Sequence, residues 1–184
     1  MRLFGDRIEL REYVGDDWPA VASYQADPRY LTFIEPGEVS ADAARRLVDM
    51  FIAWAAEEPR RDYQLAIVER SSGALLGSCG LRAGKLPAGV AEFGIELSPD
   101  WWGRGIGGEA SRLMLDFGFR TLGLTQVQAV SVSGNERIAG LLRKLGFAEA
   151  GRRPGEEWMR EKGWVFVEWV IGREGWEGAG SAGG

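Results

Sequence analysis

Near its start the chain alternates apolar and polar positions over residues 7–13, "RIELREY", the period of a half-buried strand. "GDDWPAVASYQ" follows, with Asp17 placed to cap a short helix and Pro19 near its first turn. Residues 40–56, "SADAARRLVDMFIAWAA", start with Ser40 as an N-cap and set Leu47, Phe51 and Trp54 on one side, so the spacing predicts an amphipathic helix lying on a sheet. "YQLAIVE" (63–69) and "ALLGSCGL" (74–81) are separated by the turn signal "RSSG" and read as a hairpin. "VAEFGIELS" (90–98) reads as a further strand. In "EASRLMLDFGFRTLG", Ala110, Leu113, Met114 and Phe117 form the buried stripe of a helix, and Arg112, Asp116 and Arg120 line another face in four-residue steps. "TQVQAVSVSGN" (125–135) reads as a buried strand. "NERIAGLLRKLGF" (135–147) reads as a helix with Ile138, Leu141, Leu142 and Leu145 inward and Gly146 as its stop, and "WVFVEWVI" (164–171) as a last strand.

The order β-α-α-β-β-β-α-β-α-β predicts an α/β chain, a mixed sheet with helices on both faces. Residues 1–176 are expected to form one domain. The closing stretch from 177 to 184 is rich in glycine and has almost nothing to bury, so a disordered tail is expected there.

Composition narrows the chemistry. At 184 residues, 45% hydrophobic and with a formal charge of −5, the chain suits one soluble domain. Basic residues are scattered, so no stripe suits nucleic acid, and the acidic balance favours a cationic small molecule or peptide over an anionic polymer. Cys79 is the only cysteine, which excludes a disulfide framework and multi-cysteine zinc sites. Histidine is absent, which removes Ser-His and Cys-His catalysis and the commonest metal ligand; no metal is expected. No secretory signal and no run of about 18 apolar residues occurs, so a cytoplasmic protein without membrane contact is expected.

"SPDWWGRGIGGEA" (98–110) sets four glycines and two tryptophans between a strand and a helix. Gly103, Gly105 and Gly108 satisfy G-x-G-x-x-G, but the dinucleotide fingerprint also needs an acid at the end of the next strand, which here ends in Ser131, Val132, Ser133 and Gly134. A triphosphate loop needs Gly-Lys-Ser/Thr, and Gly107 is followed by Gly108 and Glu109. What remains is a glycine-rich turn whose N–H groups and helix end can receive an anion, or a turn that holds nothing.

These residues resemble the GNAT superfamily of acyl-CoA-dependent N-acetyltransferases, in particular its ribosomal-protein N-acetyltransferase branch. "WGRGIG" (102–107) fits the superfamily's Gln/Arg-x-x-Gly-x-Gly/Ala loop except at its first position, and Asn135 precedes the "GF" pair at 146–147 with the superfamily's spacing. The N-terminal segment, the 65–81 hairpin and "AEFGIELSPDWWGRGIGGEA" resemble the branch as well, so the likeness runs from about residue 7 to 176. It implies a mixed, mostly antiparallel twisted sheet of about six to seven strands flanked by about four helices. It implies acetyl-CoA as co-substrate. The diphosphate would rest on Trp102, Gly103, Arg104, Gly105, Ile106, Gly107 and Gly108, the pantetheine arm would run beside the backbone of Ile95 to Leu97, and Asn135 would reach the arm from the other side. Asn135 also suits a helix cap.

The resemblance implies direct acetyl transfer to a primary amine, either a protein N-terminus or a small amine. With histidine absent, a carboxylate is expected as base. Glu92 and Glu96 lie four apart on one face of the strand. Glu92 stands where many superfamily members carry an acid and is the first choice; Glu96 stands beside the implied thioester and suits a cationic acceptor equally. Cross-sheet ion pairs are the plain alternative for both. Trp102 departs from the polar residue that opens the loop, which implies a missing ordering hydrogen bond, and Ile138 replaces the branch's serine. Arg137, Arg143 and Lys144 read as solvated charges or as partners of the 3′-phosphate. The loops 57–62 and 152–163 are expected at the acceptor mouth. A non-catalytic acyl-CoA sensor is the alternative function, and an NAD-type oxidoreductase a distant third. A homodimer and a monomer are both compatible with the chain.

Overall fold

The computed structural model describes residues 1–181 apart from Pro36 and Glu38, with backbone alone for 178–181. In chain order the strands are β1 (Arg2–Phe4), β2 (Ile8–Arg11), β3 (Asp62–Glu69), β4 (Leu75–Arg82), β5 (Val90–Leu97), β6 (Gln126–Val132), β7 (Ala148–Arg153) and β8 (Phe166–Gly172). The helices are α1 (Trp18–Gln25), α2 (Pro28–Leu31), α3 (Ala41–Ala55), α4 (Ile106–Asp116), α5 (Glu136–Lys144), α6 (Glu157–Arg160) and α7 (Arg173–Ser181). A π-helical turn, Phe117–Thr121, extends α4.

All eight strands join one sheet in the order β1-β2-β3-β4-β5-β6-β8-β7, antiparallel except where β5 meets β6. The class is the expected one, with more elements. β1 is three residues long, too short to show an alternation, and β7 has no fully buried position, so neither carries a hydrophobic period. α7 covers the first part of the segment where a tail is expected and buries Trp176, whose Nε1 donates to Asp116 Oδ1 at 3.0 Å; residues 182–184 lie outside the described residues.

Strand alternation divides the core in two. One face buries Ile8, Leu10, Leu65, Ile67, Cys79, Leu81 and Phe93 under α4 and α5. On the other, Ala66 and Val68 pack with Val21, Tyr24, Val48 and Phe51 of α1 and α3. Ser40 caps α3 as expected, its Oγ accepting Ala43 N–H at 3.1 Å.

The feature that positions a site is a gap. β5 and β6 pair only through Val90–Glu92 with Gln126–Gln128. Beyond Glu92, β5 stays paired to β4 as far as Leu97, while β6 continues with β8 to Val132. The sheet therefore opens between β5 and β6, and the outer edge of residues 93–97 faces the opening.

Candidate active site

A cleft of about 950 Å³ runs through this opening, bounded by β5, the glycine-rich turn, α5 and, across the sheet edge, α2 and α3. The turn begins where β5 ends. Ser98 N–H donates to Leu76 C=O at 2.7 Å, toward β4, so the Leu97 carbonyl in the same peptide points into the opening. Gly103 (φ +74°) and Gly105 (φ +80°) then turn the chain through left-handed conformations that side chains resist. Within α4 the Glu109 N–H bonds Gly105 C=O at 3.1 Å. The N–H groups of Ile106, Gly107 and Gly108 precede that first bond and project from the positive end of the helix.

Two residues fasten the turn. Arg7 Nη1 donates to Arg104 C=O at 2.8 Å. Glu109 accepts from Arg7 N–H at 2.8 Å, Arg7 Nε at 3.1 Å and Ile8 N–H at 3.3 Å, tying the first turn of α4 to the start of β2. Burial pushes the Glu109 carboxyl up, but these donors outweigh it and hold it below its ordinary range. Trp102, expected to leave the loop short of an ordering hydrogen bond, supplies one: its Nε1 donates to Leu97 C=O at 2.8 Å, and the Arg137 guanidinium lies 4.1 Å from the ring centroid. The indole N–H is a donor of sufficient reach, which the apolar bulk of the side chain disguises.

Asn135 caps α5, its Oδ1 accepting Ile138 N–H at 3.3 Å, while the residue lines the cleft. Arg112, Arg137 and Lys144 line it too. Arg143 instead reaches Glu136 at 3.8 Å. A group with an anionic diphosphate and an extended amide-bearing arm fits these residues: projecting N–H donors, cations around them, and an unpaired strand edge.

The two glutamates of β5 part company. Glu96 lines the cleft, and three side chains from α1 and α2 hold it: Tyr24 hydroxyl donates to Oε1 at 2.7 Å, Tyr30 hydroxyl donates to Oε2, and Gln25 Nε2 lies 3.5 Å from Oε2. Burial, and next the Glu96 charge, push both phenols well above their usual range, so both remain protonated donors. A carboxylate offers about four acceptor positions, so capacity remains for a group in the cleft. Glu92 lies outside the cleft lining and accepts from Arg82 Nη2 at 2.8 Å. Arg82 Nη1 reaches Gln64 Oε1 at 3.3 Å, and Gln64 Nε2 donates to Ser78 Oγ at 2.7 Å. The register Arg82↔Glu92 makes this the cross-sheet ion pair named as the plain alternative.

Tyr24, Gln25 and Tyr30 were not anticipated. One signal was present: Asp27–Pro28 is an N-cap followed by a proline at the first helical position, and Asp27 Oδ1 accepts Arg29 N–H at 2.8 Å. It starts α2, which carries Tyr30. The loops 57–62 and 152–163 contribute no described residue to this cleft. The second comes near it through Lys162, whose Nζ donates to Thr32 C=O at 3.4 Å. Cys79 is buried, which pushes its thiol up. Among the described residues no group of three or more His, Cys, Asp or Glu is placed to hold a metal, and no helix is long and apolar enough to cross a membrane.

A sheet parted beside a glycine-rich helix start, with a carboxylate across the parted strand, defines a class: proteins that hold an extended acyl carrier against a strand edge. Residues 7–148 match the family model described as an acetyltransferase (GNAT) domain, and the chain belongs to that family. It is an acetyltransferase, and the family's co-substrate is acetyl-CoA. It is similar to the Bacillus licheniformis protein named uncharacterized N-acetyltransferase p20, 27% identical over 152 residues that cover 81% of this chain and 83% of that one. Over 61 residues, 33% of each chain, it is 38% identical to spermidine N(1)-acetyltransferase of Escherichia coli K12. Its fold is shared with the ribosomal-protein-S5-alanine acetyltransferase of Vibrio fischeri, with a TM-score of 0.79, 16% identity and coverage of 96% and 98% of the two chains.

Proposed function

We propose that the protein transfers the acetyl group of acetyl-CoA directly to a primary amine, with Glu96 as the carboxylate that receives the acceptor's ammonium. The observation that carries this reading is the placement of Glu96 in the cleft, gripped by Tyr24 and Tyr30, on the strand whose outer edge is unpaired.

When bound, acetyl-CoA supplies a thioester carbonyl and a thiolate leaving group. The N–H groups of Gly103 to Gly108 hold its diphosphate. Ile95 offers N–H and C=O to its arm, and Leu97 offers N–H, because Trp102 already occupies the Leu97 carbonyl. Glu96 orients the ammonium and takes its proton, directly or through water, leaving a neutral nitrogen. That nitrogen bonds to the carbonyl carbon as the C–S bond breaks; its second proton passes to water, and the sulfur is protonated. The products are an amide, the CoA thiol and one proton. Glu92, paired with Arg82, supports the strand face instead of acting as base.

Glu96→Gln tests the assignment. General-base assistance contributes about 10²- to 10⁴-fold, so kcat falls by about that range while acetyl-CoA stabilises the variant as it does the parent. A larger loss of kcat in Glu92→Gln than in Glu96→Gln returns the base to Glu92. An alternative role as acyl-CoA sensor predicts no acceptor-dependent thiol release in any version of the protein.

A further inference from the structure

We propose that the acceptor is a monoamine whose one ammonium meets Glu96 and whose remaining bulk is apolar, an arylalkyl or branched alkyl amine, with polyamines poor acceptors. This rests on the acetyl-transfer reading above. The wall of the cleft beyond Glu96 is built from Tyr30, Phe33, Ile34, Leu47, Met50 and Trp54. Leu47, Met50 and Trp54 recur at three- and four-residue steps, so one face of α3 presents them together. Met50 lines the cleft and is 38% exposed, an apolar side chain left with open surface. Thr32 and Phe33 are tied from outside this wall: Phe33 stacks on Trp164 with centroids 5.6 Å apart, and Lys162 Nζ lies 4.6 Å from the Trp164 ring and bonds Thr32 C=O.

The charges of the described lining residues disfavour the opposite class. Among the described lining residues the carboxylates are Glu96 and Glu136. Glu136 stands at the start of α5, across the sheet from α3, where Arg143 lies 3.8 Å from it. The other charged lining residues, Arg82, Arg112, Arg137 and Lys144, are all cations. A polyamine anchored on Glu96 sets its next ammonium against Leu47, Met50 and Trp54, where no described lining residue supplies a counter-charge to repay desolvation. An aryl or branched alkyl group gains there by leaving water, an advantage of about 10- to 100-fold in kcat/KM.

The test follows thiol release from acetyl-CoA with 2-phenylethylamine, isoamylamine, spermidine and a short peptide with a free N-terminus. The expected result is turnover of the two apolar monoamines with kcat/KM about 10-fold or more above spermidine and the peptide. Met50→Glu, at a half-open position that tolerates a charge, places a second carboxylate on the wall and should narrow that ratio by about 10-fold or reverse it. Acetyl-CoA-induced thermal stabilisation of each version checks that fold and co-substrate site persist. With that stabilisation intact, faster turnover of spermidine or the peptide, no turnover of phenylethylamine, or a ratio unmoved by Met50→Glu overturns the acceptor class and leaves the transferase reading standing. No stabilisation by acetyl-CoA and no thiol release with any amine overturns both.

Discussion

Gly105 and Gly107 lie two residues apart in the same turn, and the structure gives an added methyl group opposite fates at the two positions. At Gly105, φ is +80° and a Cβ would stand 3.2 Å from Arg7 Nη2. The left-handed conformation costs an L-residue about 1–2 kcal/mol, and the tight contact pushes aside the guanidinium that holds Arg104 C=O. At Gly107 the chain is already helical, and a Cβ meets Leu141 Cδ2 at 3.6 Å and Ile95 Cδ1 at 3.8 Å, ordinary contacts. Alanine is favoured over glycine in a helix by about 0.5–1 kcal/mol. For a chain of this size 1 kcal/mol moves Tm by about 2–4 °C, so Gly105→Ala should unfold about 2–8 °C lower and Gly107→Ala about 1–4 °C higher. Because Gly105 aims the N–H groups that follow it, its variant should also lose about 10-fold or more in acetyl-CoA affinity, one displaced charge-assisted hydrogen bond. Gly107→Ala should keep affinity within about 3-fold. Differential scanning fluorimetry and titration calorimetry read both quantities. If Gly105→Ala matches the parent in Tm and affinity, the turn is not the strained cradle described.

Three further outcomes follow from single contacts. Glu109→Gln removes a carboxylate that accepts from Arg7 and Ile8, so Tm at pH 7 should drop by about 3–12 °C, the effect of about 1.5–3 kcal/mol. Because the folded carboxyl titrates below its ordinary 4.5, its contribution is present above that value and is lost as pH falls through the lower folded value; the gap between parent and variant should close in acid melts. Trp102→Phe keeps an aromatic ring under Arg137 but deletes the donor to Leu97 C=O, which should cost about 0.5–1.5 kcal/mol in chemical denaturation. Tyr30→Phe removes one of the two phenols on Glu96 and should lower kcat/KM about 5- to 10-fold with acetyl-CoA affinity unchanged.

Much of this fold is legible because it rests on local periods. The apolar stripe of α4, the Ser40 cap of α3 and the β3–β4 hairpin each announce themselves within a dozen residues. The glycine turn is legible for the same reason, since left-handed backbone and a helix start are properties of neighbours in sequence. The division of labour between Glu92 and Glu96 is not. It depends on the register that brings Arg82 opposite Glu92, and on Tyr24 and Tyr30 arriving from 72 and 66 residues away. Arg7 and Glu109, which fasten the turn, are separated by 102 positions, and nothing local to either forecasts the other. β7 escapes because an exposed edge strand needs no hydrophobic alternation.

The most direct test of the account is a thermal-unfolding titration with acetyl-CoA, with NAD as the control ligand. At about 100 times its dissociation constant a ligand adds about 2.7 kcal/mol, a rise of about 5–10 °C for a chain of this size. The account predicts that rise with acetyl-CoA, a smaller one in Gly105→Ala at the same concentration, and none with NAD. An unchanged Tm with acetyl-CoA, or an equal rise with NAD, would contradict it.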